Sequence, residues 1–517
     1  MLKDPRQGFL LSSGIELWTR AFWARLLQID SDIGYGADCI QDSTRYSMPK
    51  GRSSRNPPPY LSALLIMISL LFPWTILASD YEIGNEFLHI VSPGECLSRI
   101  ARRYLPLTEA HTIRELVQEI RERNHIEGTM IQPNQRLLIP LVQPTPLNSR
   151  SVPKEREFEA RGIYINRFSM ACRKMSRLVD ELLAHEGNTV ILDGKDMSGR
   201  LSYPSRVDLA REIGASTNPL IGNPAKLFHH LHLKGLHVGV RLVLFYDPLL
   251  AAKRPDLAVR SASTGGPWLE NGKQAWVDPS HPTVQTYNLA IAKELAEMGV
   301  DEIQFDYIRF PAMGNTHDAS YSFDEQEVSK HQVITDFLAQ ARQELASYKL
   351  LLSVDVFGVM GWEHPDDIQT TGQKIGDLAQ YCDVMSPMIY PSHFYGPFQS
   401  ISNPGDQPFA VVSETCQKFS DLLEGKEITL RPWIQAFPFG TRTFGDRYIF
   451  EELHALSKST AKGWLLWSAG NAYDVAWKGV AKWNNRTLPE PFMDVQTSRL
   501  NSSSLVENPD PPAVRGM

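Results

Sequence analysis

The chain has 517 residues, 42% hydrophobic and 21% charged, with a net charge of -7. That length exceeds what one core absorbs and implies roughly two to four domains. The acidic balance and scattered basic residues leave no footprint for nucleic acid, so none is expected as a partner. Cys39, Cys96, Cys172, Cys382 and Cys416 have no close spacing. A zinc ribbon and a dithiol redox motif are thereby excluded, and no metal or other cofactor is expected. Such cysteines read as small buried hydrophobes, with a disulfide left open for an oxidising compartment.

In chain order, residues 61–78 form a long uncharged apolar run, preceded by a basic stretch from Met48 and followed by Ala78-Ser79-Asp80. That pattern reads as a secretory signal over 48–79. A run of this length also just spans a bilayer, so an uncleaved anchor stays open, and membrane contact is expected through this segment alone. Positive charge on its N-terminal side places the bulk of the chain outside the cytoplasm on either reading. The expected location is therefore periplasmic, envelope-associated or extracellular. Met48 reads as the initiator, leaving 1–47 as an extension outside the fold.

Residues 80–142 read as a small domain. Phe87 to Val91 alternate like a strand and run into the turn Ser92-Pro93-Gly94-Glu95. Leu97, Ile100, Ala101 and Tyr104 then recur at helical spacing, as do apolar residues from Ile113 to Asn124. A turn and a short strand close a βααβ unit. Its opening, V-x-x-G-x-x-L-x-x-I-A-R-R-Y, and its ending, I-x-P-x-Q-x-L-x-I-P, resemble the LysM family. Glu95 and Cys96 replace the usual Asp-Thr, and 105–111 looks like an insertion. The resemblance implies binding to N-acetylglucosamine-containing chains such as peptidoglycan or chitin. A degenerate spacer that has lost its ligand is the alternative. The Pro- and Ser-rich segment 143–160 reads as a linker, and 485–517 as a disordered tail.

Across 161–484, short apolar runs alternate with amphipathic ones. The predicted strands are 162–168, 189–193, 237–245, 302–305, 350–354, 384–389, 430–436 and 463–467. The predicted helices are 176–185, 224–234, 284–298, 325–347, 375–381, 411–423 and 446–457. Strands that are nearly all apolar argue for a parallel sheet buried on both faces. Repeated strand–helix units over such a length fit a closed (β/α)8 barrel, with long loops after the third and fourth strands. The expected fold class is thus α/β, a TIM barrel preceded by the βααβ unit.

In such barrels the chemistry lies at the C-terminal ends of the strands. The histidine-rich stretch 228–237 falls at the opposite end and reads as solvated helix surface, not a metal site. The strand ends supply Asp193, Lys195 and Asp196, then Asp247, then Asp306 and Arg309, then Asp355. Tyr390, His393, Gln435, Trp467 and Asn471 follow, with Trp268, Trp276, Trp362 and Phe394 in or near the same loops. Clustered carboxylates are costly unless paired or used. Glycoside hydrolysis uses two of them, one protonating the leaving oxygen and one attacking carbon or activating water. Aromatic faces suit sugar rings, whereas no P-loop or GxGxxG is present for a phosphate.

Six segments resemble a bacterial family assigned by inference to the glycoside hydrolases: D-G-K-D-x-S-G-R-L-S-Y-P-S, A-W-V-D-P-S-H-P, D-E-I-Q-F-D-Y-I-R-F-P, V-D-V-F-G, M-S-P-M-I-Y-P-S-H-F and G-W-L-L-W-S-A-G-N. The resemblance spans 161–475 and implies a TIM-barrel glycosidase acting on a polysaccharide. Gly194 stands where a valine-like residue is usual, which predicts looser packing there. By strand position Asp306 is the expected nucleophile or base and Asp355 the expected acid. Asp193, Lys195, Asp196, Asp247, Arg309, Tyr390, His393, Gln435, Trp467 and Asn471 are expected to contact substrate. A catalytically inactive glycan-binding protein, and a Schiff-base lyase using Lys195, remain open as alternatives.

Overall fold

The computed structural model describes residues 81–83, 86–140 and 158–486. The readings of 1–79 as extension and export segment, and of the tail beyond 486, lie outside the described residues. Among the described residues no helix is long and apolar enough to cross a membrane.

The small unit comprises β1 (Tyr81–Ile83), β2 (Glu86–Ile90), α1 (Leu97–Tyr104), α2 (Ile113–Arg123) and β3 (Arg136–Pro140). β2 pairs antiparallel with both β1 and β3. The helical spacing seals its own core: Leu97, Ile100, Ala101, Tyr104, Leu116 and Ile120 pack on Leu137 and Ile139. Thr112 and Glu115 form a capping box that satisfies the first N–H groups of α2.

The large domain closes eight parallel positions into a barrel. They are β4 (Ala160–Ile165), β5 (Thr189–Lys195), β6 (His237–Val243), β7 (Glu302–Asp306), β8 (Leu351–Phe357), β9 (Val384–Ile389), a split seventh position, β10 (Thr429–Leu430) with β11 (Trp433–Gln435), and β12 (Gly463–Trp467). Neighbours pair in chain order, and β12 returns to β4. The surrounding helices are α3 (Lys174–Ala184), α4 (Pro224–Leu233), α5 (Pro282–Glu297), α6 (Lys330–Leu345), α7 (Ile375–Leu378), α8 (Pro408–Leu423), α9 (Asp446–Ser457) and α10 (Asp474–Asn485). Apolar residues between strands and helices make one continuous core, while a separate cluster of Tyr164, Ile191, Tyr390, Trp433 and Leu465 fills the barrel itself.

Departures from the sequence expectations have local causes. β4 stops at Ile165 because Asn166 caps a short helix, its side chain accepting from Ser169 N at 2.9 Å. α6 begins only after Ser329, whose hydroxyl accepts from Gln332 N. The eighth helix, α10, was absent from the expected set; Ala476, Trp477 and Val480 bury it against the barrel. No disulfide forms among the described residues: Cys382 and Cys416 are buried as expected, but Cys96 is exposed.

Two further expectations need correction. The histidines of 228–237 are not solvated surface. His232 bonds Asp301 at 2.8 Å and His237 bonds Glu302 at 2.9 Å, all four buried, while His230 lies 3.1 Å from Glu115 of the small unit. Nor does Gly194 loosen its surroundings. A Cβ there would meet Val240 Cγ1 at 2.5 Å and Leu242 and Leu295 at 3.0 Å, so those side chains already fill the space. The strand bulges at this glycine, its register against β6 shifting between Asp193 and Lys195.

Candidate active site

The pleat and the bulge decide what faces the barrel axis. In a parallel ladder, directly registered residues point the same way. Asp193 is registered with Arg241, and Arg241 with Gln304, which places Asp306 on the inward parity two residues on. Phe305 is registered with Val354, so Asp306 and Asp355 are next-door neighbours at one level. The three aspartates therefore converge at the C-terminal mouth.

Arg241 organises them. Its Nη1 donates to Asp193 Oδ1 at 2.8 Å, and its Nε and Nη2 both reach Asp306 Oδ2 at 2.8 Å. Asp193 also accepts from the Tyr164 hydroxyl at 2.6 Å. Burial pushes the Asp193 carboxyl up, against the pull of Arg241 and the Tyr164 hydrogen bond. Asp306 Oδ1 takes the backbone N–H of Tyr307 at 2.7 Å, and Tyr307 holds a left-handed φ of 53° to deliver it. Such a conformation costs a bulky residue energy and persists only where its surroundings enforce it.

Asp355 is built differently. Trp433 Nε1 donates to its Oδ1 at 2.8 Å, and its Oδ2 makes no hydrogen bond among the described residues. Burial, and then the negative charge of Asp306, push its carboxyl well above the usual carboxylate range. With an N–H donor fixed on Oδ1, the proton belongs on Oδ2. Tyr390 is close enough to this pair for its phenol to be pushed up, by burial first and then by Asp355 and Asp306. Trp467 stacks on Tyr164 with centroids 4.1 Å apart, and the Arg241 guanidinium lies 5.1 Å from the Trp467 ring.

The other expected contacts divide. Arg309 lies beyond Asp306, boxed by rings. Asp196 pairs with Arg167 at 3.2 Å at the edge of the mouth, its second oxygen holding the turn through Ser198 and Arg200 N–H groups. Lys195 does not join the site. The bulge turns it outward, where it is fully buried and donates to Asn288 Oδ1 (2.7 Å), Asp247 Oδ2 (3.0 Å) and Leu244 O (3.2 Å). Asp247 is consumed by that lysine and by capping Leu250 N, and although burial lowers the Lys195 amine, its place outside the mouth argues against Schiff-base chemistry there. Gln435 ties the loops after β9 and β11 together through Ser392 N, Phe437 O and Phe439 O. Asn471 links the end of β12 to β4 through Asn166 N and Tyr164 O. His393 is buried among Tyr390, Phe437 and Phe439 rings, and that burial lowers it to about 3, too low for a proton carrier at neutral pH. Trp268, Trp276 and Phe394 are buried supports of the loops.

Arg241, Tyr164 and Trp433 escaped the sequence reading. A signal existed for Arg241, the one charge inside the apolar run His237–Val243, at the same parity as Asp193. Nothing in the sequence set Trp433 apart within the predicted strand 430–436.

A TIM barrel whose strand ends converge three aspartates, two of them on one arginine, belongs to the large class of barrels with a carboxylate-lined mouth. Within it, this chain belongs to the family described as "Putative glycosyl hydrolase domain", which matches residues 162–473. Residues 89–140 match the LysM domain. Among solved structures, a hypothetical protein from Ruminiclostridium thermocellum is 38% identical, covering 38% of this chain and 97% of its own, with a TM-score of 0.34. The PgaB (BpsB) glycoside hydrolase domain from Bordetella bronchiseptica is 12% identical, covering 63% and 98%, at a TM-score of 0.46. The spore cortex-lytic enzyme SleL from Bacillus megaterium is 13% identical, covering 77% and 86%, at 0.37. No curated protein matches the chain.

Proposed function

We propose that this protein is an exported glycoside hydrolase acting on a cell-wall or extracellular polysaccharide, with Asp306 as nucleophile or base and Asp355 as acid. The observation that carries this reading is the asymmetry of two neighbouring carboxyls. Asp306 is paired with Arg241 at 2.8 Å, whereas Asp355 is pushed toward its protonated form with one oxygen unengaged. Two neighbouring carboxyls, one ion-paired and one pushed toward its proton, are what acid–base division of labour requires. Asp193 and Tyr164 hold Arg241 in place, and the half-buried Trp467 offers an aromatic surface to sugar rings. The LysM domain would keep the barrel on an N-acetylglucosamine-containing chain such as peptidoglycan or chitin, polymers found outside the cytoplasm.

Release of reducing ends from peptidoglycan and exopolysaccharide, compared among wild type, Asp306→Asn and Asp355→Asn, tests the assignment. Hydrolysis by wild type that both variants lose supports it. Equal activity in all three would sink it, and binding without hydrolysis would leave a glycan-binding scaffold. For the module, 81–140 has a core of its own. Expressed alone it is expected to sediment with insoluble peptidoglycan or chitin; a folded module that stays in the supernatant with both polymers would reduce it to a spacer.

A further inference from the structure

We propose that Arg309 is the docking point for a carboxylate carried by the glycan, so that the substrate of this mouth is an acidic polysaccharide. The inference rests on the mouth being a glycan site, as proposed above, but not on hydrolysis.

Arg309 as a whole is only 4% exposed. Its Cζ lies 4.6 Å from the Phe357 ring, 4.8 Å from Trp276 and 5.0 Å from Tyr307. Its Nη1 donates to Phe310 O at 3.0 Å, and among the described residues it forms no ion pair. Every other deeply buried arginine of the barrel core has a carboxylate partner: Arg241 has Asp193 and Asp306, Arg431 has Glu302, and Arg167 has Asp196. A buried cation without a counter-ion is costly, and three ring faces offset only part of that cost.

The groups facing Arg309 do not supply the missing anion. Tyr307 and Tyr246 are phenols, the former pushed well up by burial. Asp306 is already claimed by Arg241. Glu270 is the remaining carboxyl; it makes no ion pair with Arg309, and burial pushes it up to about 7 even against that arginine's pull. The geometry delivers both Asp193 and Asp306 to Arg241. The positive charge is left at Arg309, a few residues from Asp306 and walled by aromatic rings. An incoming carboxylate would find a planar fork of donors in a poorly hydrated box, where charge-assisted hydrogen bonds are strongest.

Such a carboxylate has two sources, a uronic acid or a lactyl ether on an amino sugar. The test uses the full chain and isothermal calorimetry. The first probe is an oligouronate, the second a set of peptide-free peptidoglycan strands, and each is compared with its own carboxyl-reduced alcohol. Wild type is expected to bind the acid form of at least one probe about tenfold or more tighter than the alcohol, the range for a hydrogen-bonded charge pair. In R309Q that preference should collapse toward parity, and R309K, which keeps the charge but loses the fork, should retain part of it. Circular dichroism checks that the variants fold; if R309Q does not, the wild-type comparison and R309K still decide. Acid and alcohol forms that bind wild type alike, no binding of either probe, or a preference undiminished in R309Q would each overturn the proposal. Preference without hydrolysis would sink the hydrolase reading and keep this one. Hydrolysis of the reduced strands at full rate would do the reverse.

Discussion

The two ends of the barrel bury the same kinds of ions and treat them oppositely. At the N-terminal end, Glu302 Oε2 receives Arg431 Nη1 at 2.7 Å and His237 at 2.9 Å, and Phe158 covers both partners with ring contacts of 4.9 and 4.6 Å. Burial pushes Glu302 up, but Arg431 and His237 outweigh it and bring the carboxyl down to about 2. At the C-terminal end Arg241 pairs with Asp193 and Asp306, and Asp355 is left without an arginine of its own, pushed up by burial and by Asp306. A balanced buried cluster is a plug. A cluster with one carboxyl too many holds a proton it can give away. The ions alone do not mark a site; the imbalance does.

Breaking the plug should have the largest effect. Glu302→Gln leaves Arg431 uncompensated and is expected to cost about 3–5 kcal/mol of stability by chemical denaturation. Turnover by the folded fraction should be unchanged. The sign of its pH dependence follows from the lowered carboxyl. Its stabilisation is present above the ordinary value of 4.5 and is lost as pH falls from there through about 2. An acid limb in wild-type stability that Glu302→Gln lacks is the expected result; identical limbs would mean the plug is not an ion pair.

At the opposite end the effect should be on rate. Asp306→Asn and Asp355→Asn are each expected to lower kcat by at least about a hundredfold, or about 2.7 kcal/mol on the barrier. Asp355→Asn should leave the melting temperature near wild type, because an amide replaces a group already driven toward neutrality. A clear loss of stability with modest loss of rate would make this end a second plug.

Gly194→Val tests whether the bulge sets the mouth apart. The new side chain would press on Val240, Leu242 and Leu295, and overpacking of this kind costs about 1–3 kcal/mol. Because the bulge separates inward Asp193 from outward Lys195, activity should fall along with stability. Stability lost with full activity would show that Asp193 does not depend on the bulge.

The smallest effect should be the slope of stability against pH. Asp355 has a raised folded value, so its favourable contribution is complete below about 3.8 and is lost as pH rises through the higher value. The stability of Asp355→Asn minus that of wild type should therefore grow as pH rises above about 4. A difference that stays flat would mean Asp355 is an ordinary ionised carboxylate.

The sequence by itself determined the alternation of strands and helices, because strands buried on both faces must be apolar runs and barrel helices must carry one apolar face. It also determined the small βααβ unit and the aspartates at the ends of β5, β7 and β8. Tertiary structure decided which of those polar residues share a site. Arg241 reaches partners 48 and 65 residues away, Trp433 finds Asp355 across 78, and Arg431 finds Glu302 across 129. Lys195 and Asp193, two residues apart and expected to act together, face opposite sides because one glycine bulges the strand. Position along a strand is a local property written in the chain, whereas the direction of a side chain depends on the pleat and its bulges, and its charge state on which distant partners barrel closure brings within hydrogen-bonding distance.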